Sequence, residues 1–85
     1  MTVKTKKNGN SKIWVEYYGF DDLVDAQVAE LVGLKLVASS FSAELVMREL
    51  EFEGSEKKIE EAEALLASVQ ASNDNLPRFI VSTEG

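Results

Sequence analysis

Neither cysteine nor histidine occurs in this 85-residue chain, and proline and tryptophan occur once each. Without cysteine there is no disulfide framework, thiolate nucleophile or cysteine-based zinc site; without histidine the usual general base near neutral pH is missing. The five glycines, Gly9, Gly19, Gly33, Gly54 and Gly85, are isolated from one another, so neither dinucleotide-binding nor P-loop spacing exists. No run approaches the roughly 18 consecutive apolar residues of a membrane-spanning helix. The lysines near the N-terminus lead into Asn8-Gly9-Asn10-Ser11, not into the apolar stretch of a signal peptide. These absences predict a soluble, cytoplasmic protein that is not an enzyme, holds no metal or cofactor and does not engage a membrane.

An apolar share of 45% nevertheless predicts a folded core. A chain this short forms one domain that buries only about 60 to 65% of its unfolded surface. Its charge is placed unevenly. Residues 1–12 hold Lys4, Lys6, Lys7 and Lys12 and no acid, whereas the other 73 residues carry 15 acidic and 5 basic side chains. The predicted organisation is a basic, flexible N-terminal arm over 1–12 and a single small α+β domain over 13–85. Val3 is the arm's one clear apolar residue beyond Met1, too little to offset the entropy of ordering it. A hairpin turned at Asn8-Gly9, a pair suited to a type I′ turn, is the alternative.

Residues 13–18 are β-branched and aromatic, with Ile13, Val15 and Tyr17 on one face and Trp14, Glu16 and Tyr18 on the other, which predicts a first strand. After Gly19, Asp21-Asp22 offers an N-cap, Asp25 a capping-box-like partner and Phe20 a hydrophobic staple. Val24, Val28, Leu31 and Val32 then recur at helical spacing, leave Asp25, Gln27 and Glu30 to water, and end at Gly33. Leu34, Leu36 and Ala38 alternate with Lys35, Val37 and Ser39 as a second strand. Residues 43–53 read as a third strand, because Glu49 to Glu53 alternates strictly, with a turn at Ser39 to Ser42 before it and Gly54-Ser55 stopping it; their good helix formers make a helix over 43–53 the alternative. Ser55 caps a second helix whose stripe is Ile59, Ala62, Leu66 and Val69, with Leu65 beside it, and Arg78 to Thr83 forms a last strand after Pro77. The order β-α-β-β-α-β predicts a ferredoxin-like α+β fold, an antiparallel sheet with two helices on one face.

Chemistry is sparse in this pattern. Acid pairs such as Asp22 with Asp25, or Glu60 with Glu63, arise by chance among 15 acids, and helix capping accounts for Asp21, Asp22 and Asp25 without a bound cation. The segment Ile13-Trp14-Val15-Glu16-Tyr17-Tyr18 resembles the first-strand motif of RNA-recognition-motif domains, in which an outward aromatic stacks on a base, and Trp14 stands at the matching position. That family's third-strand motif wants a basic residue, a glycine and two outward aromatics, whereas Leu45, Met47, Glu49 and Glu51 face outward here. The resemblance implies an RNA binder whose phosphate contacts come from Lys4, Lys6 and Lys7.

The acidic body repels nucleic acid and is steered towards a basic surface. In the predicted register Trp14, Tyr18, Val37, Phe41, Leu45 and Met47 project from the sheet side opposite the helices, ringed by Glu16, Glu49, Glu51 and Glu53. So much apolar surface predicts a partner-binding face. The expected function is a non-catalytic protein that binds another protein by surface occlusion, in its most concrete form a phage-type, anti-CRISPR-like inhibitor blocking a basic nucleic-acid-binding groove. The alternatives are a structural domain that pairs with its own copy through the sheet face, and the RNA-recognition reading. The second helix is expected to serve stability alone. Leu66→Ala should cost about 2 to 4 kcal/mol by leaving a core cavity, and Glu61→Gln no more than about 0.5 kcal/mol, as read from thermal melts.

Overall fold

The computed structural model describes residues 10–72 and 75–84, and the expected Asn8-Gly9 turn lies outside them. Six elements follow in the expected order: β1 (Asn10–Tyr18), α1 (Asp22–Val32), β2 (Lys35–Ser42), β3 (Met47–Ser55), α2 (Glu56–Ser72) and β4 (Ile80–Thr83). The strands form one antiparallel sheet in the order β2-β3-β1-β4. β1 and β3 are therefore central and β2 and β4 are edges, the ferredoxin-like arrangement. No helix among the described residues is long and apolar enough to cross a membrane.

One face of the sheet carries the core. Ile13, Val15 and Tyr17 of β1 and Leu50 and Phe52 of β3 are buried against Val24, Val28 and Val32 of α1 and Ile59, Ala62 and Leu66 of α2. The alternation expected for β1 and both helical stripes is thus realised. Asp21 caps α1, its carboxylate accepting the Leu23 amide at 2.9 Å, and Gly33 closes it at φ 66° with its amide donating to Ala29 O at 2.9 Å. Ser55 caps α2 by accepting the Lys58 amide at 3.2 Å.

Local chemistry moves several boundaries. β1 begins at Asn10, so Asn10 to Lys12 leave the segment read as an arm and pair with Ser55, Gly54 and Glu53 of β3. β3 runs through Gly54 and does not stop before it. A Cβ there would stand 2.6 Å from Leu34 Cδ2, so a side chain at 54 would displace the end of Leu34. The β2–β3 turn falls at 43–46, four residues later than expected, and Ser39 to Ser42 are strand. Ser42 Oγ accepts the Leu45 amide at 3.2 Å, and Val46 takes a positive φ of 53°. β4 pairs only from Ile80, because the Phe79 amide is held by Gln70 Oε1 while Gln70 Nε2 donates to Pro77 O at 2.8 Å.

Asp25, read otherwise from the sequence, meets Arg48 and Tyr17 beneath the β1–α1 junction. Asp25 completes no capping box and does not face water. It takes a salt bridge from Arg48 of β3 at 2.9 Å, and the two side chains are only 17% and 14% exposed. The Tyr17 hydroxyl donates to the same carboxylate and accepts the Asp21 amide at 3.2 Å. Burial first, and then the hydrogen bond to Asp25, push the Tyr17 phenol up to about 12. The folded state thus favours the neutral phenol. Its contribution is complete below the unfolded value near 10 and is lost as pH rises towards about 12. Urea midpoints should fall across that window, and Tyr17→Phe should flatten the fall.

Candidate functional site

The face of the sheet turned away from the helices is set out in rows by the strand register. Lys35, Glu53 and Lys12 form one row, and Ala38, Glu51, Trp14 and Ser82 the next. Ser40, Glu49, Glu16 and Ile80 form the third, and Ser42, Met47 and Tyr18 the last. At the Lys12 end the acids are compensated. Lys12 Nζ lies 2.9 Å from Glu51, and its hydrogen bond, with a further one from Trp14, holds the Glu51 carboxyl below the usual range despite some desolvation. The same bond and the charge of Glu51 raise the Lys12 ammonium.

At the other end they are not. Glu16 stands directly across from Glu49, whose carboxylate accepts from the Ser40 hydroxyl at 3.5 Å, and among the described residues neither carboxylate has a cation within salt-bridge distance. Like charges directly opposed on adjacent strands are destabilising. This acid pair adjoins an apolar tip formed where β1 passes into α1 and β2 turns into β3.

At that tip Gly19 donates its amide to Val46 O at 2.7 Å, so the two connections are joined. Tyr18 and Leu45 are each 63% exposed, and Phe20 and Val46 each 53%. Phe20 lies 4.3 Å above the Arg48 guanidinium and meets Phe41 edge-on at 5.3 Å between ring centroids. The first contact is worth about 0.5 to 1 kcal/mol and the second about 0.5 to 1.5. Neither brings the ring out of water as full burial would, at about 1.5 to 3 kcal/mol for such a side chain. Phe20 is therefore fixed in place and still presented to solvent, as an interface anchor is. A groove of roughly 490 Å³ runs beneath it, bounded by Tyr18, Asp21, Leu76 and Pro77.

Of the residues expected to share the open face, Trp14, Glu16, Tyr18, Met47, Glu49, Glu51 and Glu53 do so, with Trp14 and Met47 half-buried. Leu45 sits in the turn. Phe41 lies on the opposite side, in register with Arg48, because an extra residue at Val37 shifts the pairing between Leu36 and Ala38 and reverses the alternation that follows. Phe20, expected as a helix staple, serves the tip instead. Val46 carried no signal in the sequence, since nothing there distinguishes an exposed turn valine from a strand valine.

Compared with protein-family models, curated proteins and solved structures, the chain matches none. The site is thus read from its chemistry alone. If the Glu16–Glu49 opposition is unrelieved within the chain, Glu16→Gln should stabilise the fold by about 0.2 to 1 kcal/mol. Urea titrations should show that gain shrinking in high salt.

Proposed function

We propose that this protein is a non-catalytic binder that occupies a basic surface on another protein, using the apolar tip as anchor and the Glu16–Glu49 end of the sheet as its charged flank. The observation that carries the reading is the adjacency of Tyr18, Phe20, Leu45 and Val46, all more than half exposed, to an acid pair with no cation within salt-bridge distance among the described residues. Apolar anchors give such a contact its lifetime, while uncompensated acids steer the encounter. Asp21, Asp22 and Glu44 are exposed around the same tip and add to its sign. A groove that normally holds nucleic acid offers the matching charge, so occlusion of such a groove is the concrete form of the proposal.

Catalysis is not part of this reading. The one carboxylate that lines the groove under Phe20, Asp21, is engaged in capping α1. An RNA-stacking role for Trp14 gains nothing from its neighbours, which are Glu51 and Ser82.

Affinity capture with the parent chain and with a Tyr18→Ser, Leu45→Ser variant, followed by mass spectrometry, tests the proposal. Both side chains are exposed, so the variant should melt within a few degrees of the parent. A partner with a basic surface should be retained by the parent, released by salt and lost with the variant. Equal capture by both chains would refute the tip as the anchor.

A further inference from the structure

The two edges of the sheet are unlike each other. β4 offers four residues, Ile80–Thr83, preceded by Pro77 and Arg78 and followed by Glu84, which are the devices by which edge strands avoid pairing. β2 offers eight, Lys35–Ser42, with no proline and with Lys35 as its one charge. Every residue of β2 before Ser42 is exposed. The bulge at Val37 interrupts the first part of this edge, leaving Ala38 to Ser42 as a regular, neutral ladder whose outer side pairs with no strand among the described residues.

We infer that the β2 edge pairs antiparallel with the β2 edge of a second copy of this chain, about a two-fold axis through Ser40, to give one continuous eight-stranded sheet. Residues opposed across an antiparallel pair share a face, so the axis must pass through a residue. Centring it on Ser40 uses the whole regular stretch, pairing Ala38 with Ser42 and Ser39 with Phe41. On the helix side the two Phe41 rings then occupy diagonal positions, which lie within reach for aromatic side chains, and each covers surface that is 39% exposed in the single chain. Beyond the paired stretch Lys35 of each copy runs towards the other's 43–46 turn, where Glu44 is exposed.

Each copy carries a net charge of −6, a long-range repulsion that salt screens. Glu49 and its symmetry mate would sit three strand spacings apart, on the order of 14 Å, beyond the Debye length of about 8 Å at physiological salt. The β2 edge carries no carboxylate of its own to select a basic strand, whereas a second copy supplies both aromatic and ionic complements at once. The tip groove beneath Phe20 is not consumed by the pairing. Dimerisation and partner binding respond oppositely to salt and are separable.

Sedimentation over a concentration series tests the inference. The parent should approach twice the mass of a single chain, and added salt should not dissociate it. Ser40→Lys places a cation beside Glu49 in the single chain but sets two lysines face to face at the axis. That variant should sediment as one chain and, at concentrations where the parent is itself dissociated, melt like the parent. Since the chain has no cysteine, Ser40→Cys should form an inter-chain disulfide under mild oxidant, opposed residues standing about 4.5 to 5.5 Å apart at Cα. Ser82→Cys on β4 should not. Should Ser40→Lys fail to fold, the near-isosteric Ser40→Cys decides alone. A parent that remains a single chain at millimolar concentration overturns the inference. So does a dimer that survives Ser40→Lys and crosslinks through Leu45→Cys, which would place self-association at the tip.

Discussion

The salt bridge between Asp25 and Arg48 is the joint through which α1, β3 and the apolar tip are held in one geometry. Arg48 also donates to Ser40 O at 3.3 Å and lies under Phe20, so one guanidinium from β3 touches a neighbouring strand, a helix and a loop aromatic. Largely desolvated pairs of this kind contribute little net stability, because dehydrating both charges offsets their attraction, yet removing one partner strands the other at a cost of several kcal/mol. The pair therefore specifies an arrangement more than it strengthens it. With Tyr17 hydrogen-bonded to the same carboxylate, the first turn of α1 is fixed over the end of β1. Phe20, in the connection just before that turn, packs on a guanidinium that is itself largely out of water.

Much of the fold was legible because its core obeys simple periodicities. Ile13, Val15 and Tyr17 alternate in strand fashion, and Val24, Val28 and Val32 or Ile59, Ala62 and Leu66 recur with the helical repeat. Those patterns survive because each lies in a regular element that packs on one side only. What was not legible depends on irregular geometry. One inserted residue at Val37 reverses the side on which Phe41 emerges, and no local propensity marks the insertion. The turn at 43–46 is built from Ala, Glu, Leu and Val, none of which announces a turn. Asp25 looked like an exposed helix residue because its partner, Arg48, is 23 positions away in the chain.

The candidate site follows the same division. Its acids were recoverable from alternation in β1 and β3, since register on a central strand pair is strongly determined by the buried face behind it. The opposition of Glu16 to Glu49 was not, because it requires knowing which residues face one another across the pair. Nor was the separation between a compensated end, where Lys12 meets Glu51, and an uncompensated one. Composition recorded an acidic domain, but only pairing distributes that charge over the surface.

Val46 carries a consequence for how this sequence would change under selection. A β-branched residue at φ 53° is strained by about 1 to 3 kcal/mol, and glycine or asparagine would relieve it. In a library screened for folding alone, position 46 should be among the first to drift to those residues, since the valine is half exposed and contributes little to the core. Its retention in a lineage would then be a record of demand placed on the tip from outside the molecule, readable from substitution patterns without knowing what the tip contacts.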